Sequence, residues 1–277
     1  MDIETSLRSR AFVYLLLGAA AFSVLFPLLL MVLNSLRTNF EILIDPLGWP
    51  ETWNWAVYPQ VWRDANLGRA LLNSCLIAGG TVVLVCLVAT PAAWVIARRQ
   101  VPGWLGISLY FLATTTIPIQ MFIFPLYFVF SSLGLINNHF ALMFVYGAIY
   151  TPFSLFLLRT YILELPVELE EAAKIDGAST LGIFLRIIVP LTSPGLLTVA
   201  LIVGLNSWNE FLISVTFLQT GDAASATARF YQLSGRYGGQ WPEMMATATL
   251  IAIPTIVFFV VLQRRFIDGI TGGALKS

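Results

Sequence analysis

Charged side chains are scarce in this sequence. Asp, Glu, Lys and Arg make up 11% of the 277 residues, whereas an ordinary globular domain carries about 25%. Apolar residues account for 58%, so a soluble fold would lack the polar side chains that cover its surface. The composition therefore indicates an integral membrane protein. The formal net charge is zero, which gives no support to a nucleic-acid partner, because such interfaces are usually basic.

The residues of common catalytic chemistry are also scarce. His139 is the single histidine, so we expect no histidine-rich metal site and no Ser/His/Asp arrangement inside a span. We interpret it as an interfacial loop residue. The sequence contains no G-x-x-x-x-G-K-[ST] loop and no G-x-G-x-x-G turn, so nothing recognisable holds nucleotide phosphates. Cys75 and Cys86 lie about 16 Å apart on a helix, too far for a disulfide. We expect no catalytic residue, metal or cofactor in this chain.

Long apolar stretches recur along the chain, and each approaches the roughly 20 residues that a helix needs to cross a bilayer. We predict six spans, at residues 11–33, 70–97, 104–130, 140–158, 196–218 and 244–262. The first is longer than the apolar region of a cleaved signal, so we expect it to be retained. Prolines inside the spans are expected to kink them: Pro91, Pro118, Pro125, Pro152 and Pro254. The pattern predicts one all-α membrane domain over residues 1–277.

The lysines and arginines are unevenly distributed between the predicted loops. With the N-terminus inside, ten of the 15 fall in inner segments: Arg8, Arg10, Arg98, Arg99, Arg159, Lys174, Arg186, Arg264, Arg265 and Lys276. The other five fall outside: Arg37, Arg63, Arg69, Arg229 and Arg236. Because inner loops of membrane proteins carry the excess of positive charge, we predict that both termini are cytoplasmic.

The inner segment 159–193 carries the most distinctive local pattern. Pro166 favours a new helix just after it, and Gly177 suits a left-handed helix end, which predicts a short helix from Glu168 to Asp176. Leu169, Ala172 and Ala173 share one expected face, and Glu168 and Glu171 lie beside it. Ser179 or Thr180 is expected to cap a second helix, residues 181–189, that Pro190 ends. The acidic face fits a protein groove better than lipid headgroups, which favour basic helices.

This segment resembles a known motif. The run EAAKIDGAS followed by IVPLTSPG is similar to the EAA loop of ABC importer permeases, with Glu171, Ala172, Ala173, Asp176 and Gly177 in matching positions. RALLNSCLIA, WVIARR, SWNEFL and QRRFIDGITGGALKS also resemble the carbohydrate-importing subgroup, in particular six-span subunits of the maltose-permease type. Cys75 and the Arg98–Arg99 pair depart from that pattern. The resemblance implies the type I ABC importer permease fold.

The same resemblance implies a heteromeric importer in a bacterial inner membrane. Its expected partners are a second homologous permease, two ATPase subunits that bind ATP and Mg, and an extracytoplasmic solute-binding protein. The helix of the EAA loop would be the coupling helix that contacts the ATPase. Its implied contact residues are Glu168, Leu169, Glu171, Ala172, Ala173, Asp176 and Gly177. The implied cargo is a sugar, with a di- or oligosaccharide favoured.

The fifth predicted span carries polar side chains at membrane depth. Successive residues of a helix are turned by about 100°, so these polar side chains lie within one arc of roughly 160° on the helix surface, and Trp208 lies opposite. The arc contains Asn206, Ser207, Asn209, Glu210 and Ser214. This arc either lines a solute path or contacts a helix of the partner permease. An alternative function is a self-sufficient secondary transporter in which Glu210 carries a coupling proton.

Two outer segments complete the predicted surface. Residues 34–69 carry an aromatic cluster suited to the headgroup level: Trp49, Trp53, Trp55, Tyr58 and Trp62. Residues 219–240 mix aromatic, arginine and glycine residues, as an adaptable contact surface does. We predict that this second segment touches the solute-binding protein through Arg229, Tyr231, Arg236 and Tyr237.

Overall fold

The computed structural model describes the backbone of residues 7–236 and 238–274, and the side chains of residues 12–235 and 238–261. Within these ranges the chain is helical and forms no strand. The helices are α1 (Leu7–Ser35), α2 (Asn39–Ile44), α3 (Val57–Asp64), α4 (Leu67–Ala97), α5 (Trp104–Thr115), α6 (Ile123–Ser132), α7 (His139–Leu163), α8 (Glu168–Ile175), α9 (Thr180–Ile183), α10 (Val189–Leu191), α11 (Ser193–Asn209), α12 (Leu212–Phe217), α13 (Ala226–Arg236) and α14 (Trp241–Ala274).

Four of the described helices have segments long and apolar enough to cross a membrane: Phe12–Ser35, Leu67–Ala97, His139–Leu163 and Trp241–Val261. Two bent helix pairs bring the number to six if each pair is one span. The pairs are Trp104–Thr115 with Ile119–Ser132, bent by 85°, and Thr180–Leu191 with Ser193–Asn209, bent by 71°. The all-helical membrane fold predicted from the sequence is confirmed.

The third predicted span is broken rather than continuous. Thr114, Thr115 and Thr116 each donate a side-chain hydrogen bond to the carbonyl three residues earlier. Pro118 follows with an extended backbone, φ −65° and ψ 121°. Proline has no N–H and disfavours a helical residue before it, so the helix stops here and a 3₁₀ turn, Ile119–Phe122, starts the next segment. Pro91, Pro152 and Pro254, in contrast, lie inside continuous helices.

The described residues up to Leu67 form one compact unit with the described residues of Phe230–Ile253. In its apolar membrane window, α1 buries none of its residues within the chain. Thr38 and Glu41 form a capping box that starts α2, since each side chain accepts a hydrogen bond from the other residue's backbone N–H. Val57 and Val61 of α3 pack against Ala246 of α14. Trp53 stacks on Trp55, with 6.2 Å between ring centroids.

Gly68–Arg229 form the second unit, together with the described residues from Pro254 onward. Its larger apolar cluster joins α4, α7, α9 and α11 through residues that include Ala93, Leu155, Leu158, Ile183 and Val199. A second cluster joins α4, α6, α7 and α12 through residues that include Ile77, Ile123, Tyr146, Ile213 and Phe217. These clusters hold the inner loop and the break in the fifth span that form the candidate sites.

Candidate coupling loop and polar cluster of the fifth span

Helix α8 begins and ends where the sequence predicts, to within one residue. Its first turn contains Glu168, Glu170 and Glu171, and Lys174 lies in its last turn. Negative charge at the N-terminus and positive charge at the C-terminus interact favourably with the helix dipole, so this distribution stabilises α8. Gly177 has φ +81°. The N–H of Gly177 bonds to the carbonyl of Lys174 at 3.0 Å, and that of Ala178 bonds to the carbonyl of Ala173 at 2.9 Å. This pair of bonds is the Schellman helix end that a left-handed glycine allows.

The predicted contact face of α8 is divided by the structure. Exposed side chains lie on one side of the helix, with Ile175 at 87% exposure. They are Glu168, Leu169, Glu171, Ala172, Lys174, Ile175 and the following Asp176. Ala173 is half-buried and packs against the larger apolar cluster instead. Helical periodicity places Ala173 on the same face as Leu169 and Ala172. In the structure Ala173 instead contacts the larger apolar cluster, so the exposed face of α8 is centred nearer Ile175.

Glu170 is the charged residue that turns inward. It is 3% exposed. Its Oε1 accepts from Arg98 Nε at 2.7 Å, and its Oε2 accepts from the indole N–H of Trp94 at 3.1 Å. Arg98 Nη2 also donates to the carbonyl of Leu165 at 3.0 Å. The buried carboxylate is thus paired and hydrogen-bonded on both oxygens, which is the condition for tolerating a charge out of water.

The segment after α8 contains an irregular helical turn. Ser179 caps α9 by accepting from the N–H of Gly182 at 3.1 Å. Phe184–Ile188 then form a π-helical turn, and the ring of Phe184 stacks on Trp94 at 5.5 Å. The prediction that Pro190 ends this helix is wrong. The chain stays helical to Leu191 because the π-type bond from Val189 N–H to Phe184 precedes the proline, and the bend falls at Thr192.

Glu210 lies at a break in the fifth predicted span, between α11 and α12. Its carboxylate accepts hydrogen bonds from the backbone N–H groups of Ile213 and Ser214, at 3.0 and 2.9 Å. The hydroxyl of Tyr146 on α7 donates to the same carboxylate at 2.8 Å. Glu210 therefore caps α12 and binds α7 of its own chain. The fifth predicted span, residues 196–218, is therefore two helices rather than one, and the cap at their junction is not predicted by the hydrophobic pattern.

The predicted polar arc around Glu210 is also divided. Ser207 and Ser214 are buried, and Ser214 shares a hydrogen bond with Ser225. Asn206 and Asn209 are exposed, and Asn209 donates to the carbonyl of Leu205. The arc therefore has a buried part, in which Ser214 bonds within its own chain, and an outer pair of exposed amides. The two roles predicted for the arc, lining a solute path or contacting the partner permease, therefore apply to the exposed amides of Asn206 and Asn209.

Trp208 lines an apolar cavity of about 460 Å³ between α4, α11 and α14. The other lining residues include Ala78, Val82, Leu201 and Phe258. Such a lining offers few hydrogen-bonding groups to sugar hydroxyls, so it suits a lipid chain or an apolar helix.

The outer segment after α12 is fixed by a polar turn. Asn137 has φ +64°, and its side-chain oxygen accepts from the N–H groups of Gln219 and Thr220 at 2.7 and 2.9 Å. His139 bonds to the carbonyl of Ala223 at 2.7 Å. Arg229 and Tyr231 lie on α13, and Tyr231 is 54% exposed. The side chains of the other two predicted contact residues, Arg236 and Tyr237, lie outside the described residues.

Trp94, Arg98 and Glu170 are the residues of this site that the sequence analysis missed. Trp94 and Arg98 are four residues apart at the end of a span, so they share one helix face. The spacing of Trp94 and Arg98 is the signal in the sequence that points to this site. In the part of the chain with described side chains, no group of three metal-ligating residues comes together.

The described helices include several that are long and apolar enough to cross a membrane, with an exposed acidic helix in a loop between two of them, which is the architecture of a polytopic membrane protein with a docking helix. The chain belongs to the family described as binding-protein-dependent transport system inner membrane component, whose model matches residues 89–272. It is therefore a permease subunit of an ABC importer in the inner membrane. Members of this family work with a solute-binding protein, a partner permease and ATPase subunits.

Individual relatives agree with this assignment. The chain is 32% identical over 261 residues to the diacetylchitobiose uptake system permease protein NgcG of Streptomyces coelicolor, covering 91% of this chain and 84% of the relative. It is 32% identical over 261 residues to the arabinooligosaccharides transport system permease protein AraQ of Halalkalibacterium halodurans, covering 93% of each. A chain from the crystal structure of a bacterial ABC transporter that imports the polysaccharide alginate has the same fold, with a TM-score of 0.79 at 20% identity, over 96% of this chain and 99% of that one.

Proposed function

We propose that this subunit forms half of the translocation path for a di- or oligosaccharide delivered by an external solute-binding protein. The other half is a second homologous permease, and two ATPase subunits bind ATP and Mg. Relatives named for uptake of diacetylchitobiose, arabinooligosaccharides and, in Rhizobium meliloti, alpha-glucosides support a saccharide as cargo. The chain acts as a single membrane domain over residues 1–277 with both termini cytoplasmic.

Helix α8 is the element of this chain that contacts the ATPase. The observation that supports this role is its two-sided construction: Glu170 is ion-paired inward, and the opposite side presents exposed acidic and apolar side chains. Glu171 would meet a basic group of the ATPase, and Leu169, Ala172 and Ile175 would fill an apolar cleft. Glu168 and Asp176 lie at the edge of this face, and Gly177 fixes the angle at which the helix leaves the loop. Ala173 supports the helix from the membrane side.

The outer segment 219–240 contacts the solute-binding protein. Its support is the polar turn at Asn137, which fixes the start of the segment. Arg229, Tyr231, Arg236 and Tyr237 provide the long arginine and tyrosine side chains that are enriched at protein interfaces.

The exposed amides of Asn206 and Asn209 either bind sugar hydroxyls on the path or contact the partner permease. The internal hydrogen bonds of Glu210 weigh against the alternative function, a self-sufficient secondary transporter. A coupling carboxylate must exchange a proton with water during each cycle, whereas Glu210 is engaged by Tyr146 and two backbone N–H groups. Ser207 and Ser214 are buried beside it and are assigned to structure rather than transport.

The test is reconstitution of the complete transporter that copurifies with this chain. In proteoliposomes we expect uptake of labelled oligosaccharide to require ATP and the binding protein, and to be insensitive to a protonophore at constant ATP. Uptake by this chain alone, abolished by the protonophore, would instead establish secondary transport. A panel of saccharides of increasing length tests the cargo. Transport of an amino acid or an ion, with no saccharide taken up, would contradict the sugar assignment.

A further inference from the structure

The inner end of α4 contacts the coupling loop at three separate places. Arg98 donates to the carbonyl of Leu165, which precedes α8. Arg98 and Trp94 together bind the carboxylate of Glu170 within α8. The ring of Trp94 stacks on Phe184, which lies after α8 in the π-helical turn. The last turn of α4 and the residue that follows it therefore touch the loop before, within and after α8, the helix proposed to contact the ATPase.

We propose that Arg98 and Trp94 are positioning residues that make α8 move together with α4, so that the second span receives the motion of the coupling helix directly. This inference rests on the proposed role of α8 in contacting the ATPase. It assigns the two adjacent glutamates different tasks: Glu171 faces the partner, and Glu170 transmits force inside the chain.

The geometry supports transmission rather than simple attachment. An arginine fork is planar and directional, so it resists sliding and rotation better than an apolar contact does. The Glu170 carboxylate is held from two donors on different side chains, both 10% exposed or less. The chain between Ile175 and Thr180 is exposed, so a movement of α8 could otherwise be absorbed there. The three contacts to α4 offer a path that bypasses this segment.

Neighbouring residues supply matched controls. Arg99 follows Arg98 but is exposed, and its guanidinium lies over the ring of Trp104 at 4.8 Å. Arg99→Ala removes the same charge at almost the same place without touching Glu170. Trp94→Phe keeps an aromatic ring against Phe184 and removes the N–H that binds Glu170, together with part of the packing volume of the indole. The double variant Arg98→Glu with Glu170→Arg restores opposite charges in exchanged positions.

The first measurement compares sugar transported with ATP hydrolysed in reconstituted complexes. For Arg98→Ala and Glu170→Gln we expect this ratio to fall at least tenfold while ATP hydrolysis stays within about twofold of wild type. Trp94→Phe should lower the ratio less, the charge exchange should recover part of it, and Arg99→Ala should leave it unchanged. An unchanged ratio in Arg98→Ala and Glu170→Gln overturns the proposal, and so does an equal loss in Arg99→Ala. If Arg98→Ala or Glu170→Gln does not assemble, Trp94→Phe takes its place, and an unchanged ratio of sugar transported to ATP hydrolysed in Trp94→Phe overturns the proposal.

The second measurement does not depend on the ATPase. Spin labels are placed at Ile175 on α8 and at Leu72 near the other end of α4, after Cys75 and Cys86 are replaced by alanine. Leu72 and Arg98 are separated by about 39 Å along the helix. Double electron–electron resonance on the chain in nanodiscs should give a narrow distance distribution, broadened by Glu170→Gln and not by Arg99→Ala. An equally narrow distribution in Glu170→Gln contradicts the positioning role, whatever energy source drives uptake. ATP-independent uptake by wild type would contradict the proposed function alone.

Discussion

Tyr146 and Glu210 are joined by a hydrogen bond of 2.8 Å that links α7 to the break between α11 and α12. The same carboxylate caps α12 through two backbone N–H groups. A polar residue in the middle of a predicted span therefore has a structural explanation, since it satisfies donors that the broken helix leaves free.

Replacing Glu210 with glutamine should reduce stability without converting the mode of transport. The amide has one acceptor oxygen in place of two, so at least one of the three donors loses a good partner, at a cost of about 1–3 kcal/mol. We expect a lower thermal unfolding temperature in detergent and retained ATP-driven uptake. Tyr146→Phe, which removes one donor, is the milder control. Complete loss of uptake in a stably assembled Glu210→Gln complex would contradict the purely structural role and show that Glu210 takes part in transport.

The cap of α2 should depend on pH. Backbone hydrogen bonds from Thr38 and Glu51, and a side-chain hydrogen bond with Thr38, lower the pKa of Glu41 below its ordinary value of 4.5. A lowered native pKa means that the ionised carboxylate stabilises the cap above pH 4.5 and that this effect is lost as the pH falls through the native pKa. We expect the Glu51 amide to lose hydrogen-exchange protection, corrected for intrinsic rate, over that acidic range. Glu41→Gln should abolish the dependence. A wild-type profile identical to that of Glu41→Gln would show that the capping box is not populated.

Valine at position 177 should uncouple ATP hydrolysis from transport. Gly177 has φ +81°, where a β-branched side chain costs about 1–2 kcal/mol or more, and relief of that strain would redirect α8. We expect Gly177→Val to insert normally in the membrane and to hydrolyse ATP, but to lose most of its uptake. Gly103, with φ +73° before α5, is a matched control, because Gly103→Val carries similar strain outside the coupling loop. Equal uptake losses in both variants would point to general backbone strain.

The sequence predicted much of this architecture because spans and helix ends have strong local signals. The proline and glycine around α8 bounded that helix correctly. The pairing of Arg98 with Glu170 was not predictable in the same way, since it joins residues 72 positions apart in sequence. The break at Glu210 escaped prediction because residues 205–217 contain no proline or glycine to mark it. Only the tertiary donor Tyr146 and the backbone N–H groups of Ile213 and Ser214 reveal the role of this carboxylate.

The outer segment should be required for stimulation by the solute-binding protein. Tyr231 is exposed on α13, and truncating an exposed aromatic at an interface removes contact area without disturbing the core. We expect Tyr231→Ala to lower binding-protein-stimulated ATP hydrolysis several-fold and to leave basal hydrolysis and assembly unchanged. Deletion of residues 235–239 should abolish the stimulation. Full stimulation in the deletion variant would exclude this segment as a contact.

Site-specific crosslinking of α8 to the ATPase tests the central claim most directly. Single cysteines at Ala172 and Ile175 lie on the exposed face, whereas a cysteine at Ala173 lies on the half-buried face against the membrane domain. In complexes shown to transport, with Cys75 and Cys86 replaced by alanine, a short bifunctional reagent should trap the first two positions to engineered cysteines on the ATPase, and trap Ala173→Cys much less. If an active complex shows no crosslink from Ala172→Cys or Ile175→Cys to any site on the ATPase, α8 is not the coupling helix.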